Sequence, residues 1–176
     1  MPRLPELYER DQLPEDKREV YDYLVKARGR VPNGYAPLLH CPDFVGRAAH
    51  LGTYIRFESS LPEKTIELLA FATSAELENR YEQGIHAQTA AKHGVSAAII
   101  DAINNKTDLP PGPPEEILPL RCVRELIRTR HLSDATFATA RETLSEKRLV
   151  ELIGTIGYYA MLAYAHNAVQ VRLPNS

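Results

Sequence analysis

A proline-rich segment at residues 104–114 sets the main constraint on how this chain can fold. It contains four prolines and one glycine, so no continuous helix can run through it. On both sides of it apolar residues recur with helical spacing, and no stretch shows the sustained apolar–polar alternation of a strand. The sequence therefore predicts an all-α protein, one helical domain of 176 residues. Within it, residues 104–114 link a core region at 43–103 to C-terminal helices at 115–170.

Local start and stop signals predict the individual helices. Residues 1–14 contain three prolines and are expected to form an extended N-terminal arm. Prolines, serines and Asn79 stand at positions typical of helix N-termini, and Gly94 stands at a typical C-terminus. The predicted helices cover residues 15–28, 43–59, 62–77, 79–93, 97–103, 115–131, 134–144 and 146–169.

Composition and charge limit the classes of partner. Hydrophobic residues make up 44% of the chain and charged residues 25%, which is ordinary for a soluble globular protein. A net charge of −2 without a basic run gives no reason to expect nucleic acid or an anionic membrane as a partner. The first residues lack the apolar core of a signal peptide, and residues 152–165 are too few to span a bilayer. We therefore expect a cytoplasmic protein, with Cys41 and Cys122 as reduced thiols.

Glu82 and His86 are the first candidates for chemistry. They lie four residues apart in a predicted helix, so their side chains share one face. A carboxylate one turn before an imidazole can fix its tautomer and raise its basicity, which suits proton transfer to a substrate. One alternative is a solvated ion pair on the protein surface. Another is a capping box, in which Glu82 would bind the backbone N–H of Asn79 and would not be free for catalysis.

Glu67 is the third catalytic candidate because it lies in the apolar run IELLAFA. Burial there would raise the pKa of its carboxyl group and make it a proton donor near neutral pH. The alternative is a solvated position on the polar side of the helix.

Other side chains are candidates for substrate binding. Tyr81 could line a pocket, Arg80 or Arg47 could bind a substrate carboxylate, and His40 could be a second acid–base group. The remaining histidines, including His166, stand alone in helices and are expected to be structural. No Cys/His cluster or H-E-x-x-H motif occurs, so no metal site is predicted.

The three catalytic candidates and Asn79 form the pattern E-x11-N-x2-E-x3-H, which runs from Glu67 to His86. It resembles the E-x11-C-x2-C-x3-H site of the carboxymuconolactone decarboxylase and alkylhydroperoxidase-D-like superfamily. The segment GRVPNGYAPLLHCPDF, the core around the motif and the C-terminal helices are similar as well, so the resemblance covers most of the chain. It implies an all-helical fold that self-associates as a dimer, trimer or hexamer.

The resemblance also narrows the chemistry. The redox branch uses a C-x-x-C pair, but here Asn79 and Glu82 stand at both positions, so a dithiol cycle cannot occur there. The decarboxylase branch acts on a carboxylated lactone without a metal or an organic cofactor. Its chemistry implies that His86 donates a proton, that Glu82 orients it, and that Glu67 assists as a second acid or base.

The resulting hypothesis is a cofactor-free, decarboxylase-like lyase that acts on a small, anionic ring or lactone substrate. Two alternatives stay open. One is an oligomeric binding protein that keeps the fold without turnover. The other is a thiol-dependent antioxidant enzyme that uses Cys41 or Cys122.

Overall fold

The computed structural model describes residues 2–173, and within that range the chain is built from eight α-helices without a β-strand. The all-α prediction is therefore confirmed. No helix in the described range combines the length and apolar character needed to cross a membrane. The helices are α1 Arg18–Arg28, α2 Pro42–Thr53, α3 Glu63–Glu76, α4 Arg80–Lys92, α5 Ala97–Asn104, α6 Pro114–Thr129, α7 Asp134–Thr143 and α8 Glu146–Val169.

Helix α3 is the centre of the fold. It packs against α4, α5, α6 and α8, and every residue from Ile66 to Ala75 is buried. This explains why apolar residues occur on every side of the segment, since a helix surrounded by other helices has no solvent-facing stripe. Because α6 and α8 lie beyond residues 104–114, the proline-rich segment divides the sequence but not the hydrophobic core.

The helix ends follow the local signals in the sequence. The hydroxyls of Ser96, Ser133 and Ser145 accept backbone N–H bonds at the starts of α5, α7 and α8. Asn79 does the same for α4, where its Oδ1 accepts the N–H groups of Tyr81 and Glu82 at 3.1 Å and 3.3 Å. Each cap satisfies backbone donors that have no partner within the helix.

The N-terminal arm is not uniformly extended, because Arg10–Gln12 forms a 3₁₀ turn. The arm is anchored at two places. The N–H of Leu7 donates to the carbonyl of Ala36 at 3.1 Å, and the N–H of Arg3 donates to the carbonyl of Val169 at 2.8 Å. The arm therefore ties the loop after α1 to the C-terminal end of α8, and both segments contribute to the cavity described below.

The helix predicted over residues 43–59 changes its form before it ends. Helix α2 stops at Thr53, and Tyr54–Glu58 continues as a π-helical turn closed by a 2.8 Å bond from the N–H of Ser59 to the carbonyl of Tyr54. Turns of this kind are rare in proteins, and those that do occur are often found at functional sites. Here the turn carries Arg56 toward the buried carboxylate of Glu67.

Candidate active site

His86 lies between two carboxylates. Glu67 on α3 approaches one ring nitrogen, with Oε2 2.5 Å from Nδ1. Glu82, one turn earlier on α4, approaches the other, with Oε2 3.2 Å from Nε2. His86 is 1% exposed and Glu67 3% exposed, so this contact is shielded from bulk solvent. The packing of α3 against α4 thus brings together the three residues predicted to be catalytic.

Glu82 is not used to cap its own helix. The backbone N–H of Asn79, which a capping box would direct to Glu82, donates to the carbonyl of Ser74 at 2.8 Å. Instead Glu82 faces His166 of α8, with Oε1 3.5 Å from Nδ1. The amide nitrogen of Asn79 lies 3.3 Å from the same ring atom. The capping alternative is therefore wrong for Glu82, and its carboxylate connects two histidines.

The protonation states follow from burial and from these contacts. Burial alone would lower the pKa of His86, but the bonds to Glu67 and Glu82 and their charges raise its pKa to about 9. Burial would raise the pKa of each carboxyl group, yet His86 outweighs it and the pKa values of Glu67 and Glu82 are both lowered. At neutral pH His86 is thus an imidazolium between two carboxylates. Burial lowers the pKa of His166, so this ring is neutral.

A cavity of about 250 Å³ opens beside this group. Glu82, His86 and His166 form its acid–base end, and Arg28, Arg30 and Arg56 add three cationic side chains to its lining. Four tyrosines complete the polar wall. The size suits a small organic molecule, and the arginines favour an anionic one.

Glu67 does not line this cavity. It lines a second one, of about 300 Å³, that it shares with Arg56. Arg56 Nη2 is 3.8 Å from Glu67 Oε1, and Arg56 is the residue common to both cavities. Glu67 therefore contacts His86 on the side away from the first cavity, whereas Glu82 is the carboxylate that a molecule bound in that cavity could contact.

Of the predicted substrate-binding residues, Tyr81 lines the cavity, and His40 and Arg80 do not. Tyr81 is buried and lines the cavity, where its hydroxyl accepts the N–H of Gly34 at 3.1 Å. His40 is exposed, with Nε2 3.0 Å from the carbonyl of Pro5. Arg80 is exposed at the first residue of α4, outside the cavity.

Residues 42–116 match the model of the Carboxymuconolactone decarboxylase family. Over this segment, which contains Glu67, Glu82 and His86, the chain is similar to that family. No curated protein matches it significantly in sequence.

Several solved structures share the fold of this chain at low sequence identity. A peroxidase-related protein from Ralstonia eutropha JMP134, described as an alkylhydroperoxidase AhpD core, is 18% identical with a TM-score of 0.78, over 99% of this chain and 93% of that one. A putative antioxidant defence protein AhpD from Agrobacterium tumefaciens is 17% identical with a TM-score of 0.69, over 78% and 94%. A Cys-to-Ala variant of the debrominase Bmp8, in complex with 2,3,4-tribromopyrrole, is 16% identical with a TM-score of 0.71, over 98% and 91%. The predicted AhpD-like fold is confirmed.

The two cysteines lie away from the acid–base group. Neither Cys41 nor Cys122 lines the cavity. Cys122 is fully buried, and its burial raises the pKa of the thiol to about 11, which suppresses the thiolate needed for nucleophilic attack. Cys41 is exposed next to the start of α2. Within residues 2–173 no group of three His, Cys, Asp or Glu side chains could hold a metal ion.

Several residues of the cavity were not identified from the sequence. His166, expected to be structural, faces Glu82, and Arg28, Arg30 and Arg56 supply the cations sought at Arg80 and Arg47. One signal for His166 was present. Tyr158, Tyr159, Leu162, Ala163 and His166 form a buried stripe at helical spacing on α8, so the histidine had to face the core.

Proposed function

We propose that this chain is a cofactor-free acid–base enzyme, a decarboxylase-like lyase that acts on a small carboxylated ring or lactone compound. One observation carries the proposal: His86, held between two carboxylates that raise its pKa to about 9, borders a small cavity that is also lined by three arginines. A stored proton and a set of cations are what such a reaction requires of a protein without a cofactor.

The reaction has a simple balance of atoms and charge. The bond between the ring and its carboxylate breaks, carbon dioxide leaves, and the electron pair moves through the ring onto the adjoining carbonyl oxygen. A proton then bonds to carbon as the electron pair returns. His86 is the source of that proton, and it recovers one from solvent after turnover.

Glu82 and Glu67 have different tasks in this scheme. Glu82 and His86 both line the cavity, but the side chain of Glu82 is 11% exposed against 2% for His86, so we expect the proton to reach the substrate by way of Glu82. Glu67 binds Nδ1 and orients the ring, the task first given to Glu82. This division follows from the side of the imidazole on which each carboxylate lies.

We expect the arginines to bind a group of the substrate other than the carboxylate that leaves. A cation bound to the leaving carboxylate would stabilise the ground state, because that charge disappears in the transition state. A second carboxylate or the carbonyl oxygen gains more from a cation. The apolar side chains of Ile85 and Leu162 offer the leaving carboxylate a poorly solvated position in the same cavity.

The two alternatives find less support. A binding protein without turnover has no need of a buried imidazolium whose neighbouring carboxylate is left free of capping. A thiol-dependent enzyme would need a cysteine near the acid–base group, and neither cysteine lines the cavity. Self-association as a dimer, trimer or hexamer and a cytoplasmic location stay predictions.

A labelled-substrate assay tests the proposal. Carboxylated unsaturated lactones with a carbon-13 carboxyl group are incubated with the protein, and labelled carbon dioxide is followed by NMR. We expect release by the wild type and a loss of about 100-fold or more in His86→Gln and Glu82→Gln. His131→Gln is the matched control, because His131 is exposed and outside the cavity. Absence of release from every lactone, or equal rates in His86→Gln, would contradict the proposal.

A further inference from the structure

Two tyrosine hydroxyls meet in the wall of the cavity. The hydroxyl oxygens of Tyr35 and Tyr158 are 2.7 Å apart, and the two residues are 7% and 6% exposed. A pair of hydroxyls has two protons but uses only one for the bond between them. Among residues 2–173 neither hydroxyl has another hydrogen-bond partner. One phenolic proton is therefore available to a molecule in the cavity.

Both phenols keep their protons across the physiological range. Burial raises the pKa of Tyr35 and that of Tyr158, and the hydrogen bond between them does not reverse this in either residue. The pair is thus a hydrogen-bond donor and not a phenolate.

The guanidinium of Arg28 lies at the same end of the cavity. A methyl group on Gly52 would meet the hydroxyl of Tyr158, and it would lie 3.4 Å from Arg28 Nη2. Within the described residues Arg28 has no carboxylate within 4.0 Å, and its Nε is buried without a hydrogen-bond partner. The ring of Phe57 lies 5.6 Å from Cζ of Arg28 and offers this cation an aromatic face but no acceptor oxygen. Two kinds of donor without an acceptor thus converge beside Gly52.

The ring of Tyr159 connects this end of the cavity to the acid–base end. Its centroid is 5.1 Å from that of His86 and 5.2 Å from that of Tyr158, and both contacts are edge to face. The donors and the proton store are therefore separated by the width of one aromatic ring. A flat ring of similar size that lies along Tyr159 would reach both ends.

We propose that Tyr35, Tyr158 and Arg28 bind the carbonyl oxygen of the substrate and stabilise the enolate that forms there. This inference rests on the acid–base function proposed above and adds the residues that bind the carbonyl oxygen of its substrate. Because the ring of Tyr159 separates these donors from His86, the carbonyl oxygen and the carbon that gains the proton lie at opposite ends of the bound ring. Hydroxyl and guanidinium donors bind the oxygen more strongly as it gains charge, so they stabilise the transition state more than the ground state.

A second activity follows from the same arrangement. On a lactone without a carboxylate to lose, Glu82 takes a ring proton and the C–H electron pair moves onto the carbonyl oxygen. The enolate then recovers a proton that entered from solvent through His86. In heavy water the net reaction replaces hydrogen by deuterium, and it requires no further reactant.

Hydrogen exchange measures this activity directly. An unsaturated five-membered lactone with one acetate side chain is the probe, and loss of its ring-proton signal in heavy water is followed by NMR. We expect exchange by the wild type, with kcat about tenfold or more lower in Tyr35→Phe and Tyr158→Phe and KM changed much less. Gly52→Ala displaces the hydroxyl of Tyr158 and should have the same effect. Tyr164→Phe is the matched control, since Tyr164 is an exposed tyrosine on the same helix.

The outcomes separate the two proposals. If wild type and both phenylalanine variants release carbon dioxide and exchange at equal rates, the enolate site is wrong and the decarboxylase function stands. If exchange occurs and depends on the tyrosines while no carboxylated lactone is decarboxylated, the enolate site stands alone. If the wild type does neither, both proposals are wrong. Thermal unfolding of each variant shows that a loss of rate is not a loss of fold.

Discussion

Glu67 Oε2 lies 2.5 Å from His86 Nδ1, on a carboxylate that does not line the cavity beside His86 and His166. The opposite nitrogen, Nε2, faces Glu82, which does line it. The imidazole is therefore asymmetric in its surroundings, with a buried support on one side and a route to the cavity on the other. This arrangement suits the transfer of a proton from His86 to a molecule in the cavity, as we propose.

Replacing Glu67 by glutamine should change the pH at which the enzyme loses activity. Two carboxylates raise the pKa of His86 to about 9, so we expect wild-type turnover to fall as the pH rises through that value. With one carboxylate removed, the alkaline limb should move down by about one pH unit or more. Turnover measured against pH tests this. Glu63→Gln, at a mostly exposed residue of the same helix, should keep the wild-type limb.

The stability of the protein should also depend on His86 in the alkaline range. The folded pKa is raised from 6.5 to about 9, so the stabilisation is fully present below about 6.5 and is lost as the pH rises to about 9. The expected loss in the free energy of unfolding is about 3 kcal/mol. Urea unfolding at several pH values measures it, and His86→Gln should lack this component. A pH-independent difference between the two proteins would contradict the expectation.

Asn79 should stabilise more than its own helix. Asn79→Ala removes the cap of α4, at a cost of about 1 kcal/mol, and also removes the contact of its amide with His166. Ser96→Ala removes a cap of α5 without any contact to the cavity. We expect the Asn79 variant to lose more free energy of unfolding than the Ser96 variant and to turn over more slowly. Equal losses in stability with unchanged turnover would show that Asn79 only caps.

Gly34 and Gly84 offer a matched pair of alanine substitutions. A methyl group at Gly34 would lie 2.9 Å from His166 Nε2 and 3.1 Å from the ring of Tyr81, so it would displace two side chains of the cavity. A methyl group at Gly84 meets nothing within 4 Å and lies inside α4, where alanine is favoured over glycine by about 1 kcal/mol. We expect Gly34→Ala to lower the melting temperature and turnover, and Gly84→Ala to raise the melting temperature with turnover unchanged. A Gly34→Ala protein with normal turnover would contradict the description of this wall.

The helices could be predicted from the sequence because their ends depend on neighbouring residues. Ser133 and Ser145 each accept a backbone N–H three residues ahead, and such an interaction can be read from a few letters. The π-helical turn at Tyr54–Glu58 could not be predicted in this way. Its i to i+5 bonding has no residue signature, and the sequence there is that of an uninterrupted helix.

Helical spacing in the sequence could predict only those residues of the candidate site that share one face of α4. Glu82 and His86 are related by helical spacing, and Glu67 was identified through the pattern that includes them. The packing of α3 against α4 decides which ring nitrogen of His86 each carboxylate contacts. The spacing of residues in the sequence does not predict that packing. His166 comes from a helix about eighty residues away, so only tertiary packing brings it to Glu82.

The ionisation of His86 tests the central claim most directly. Carbon-13 labelling of the histidine rings allows each of them to be titrated by NMR, with His86 assigned from the spectrum of His86→Gln. We expect a pKa near 9 for His86, well above the pKa of His166, which is lowered from its ordinary value. A pKa for His86 at the ordinary 6.5 or below would mean that the ring is neutral at physiological pH, and the stored-proton mechanism would be wrong.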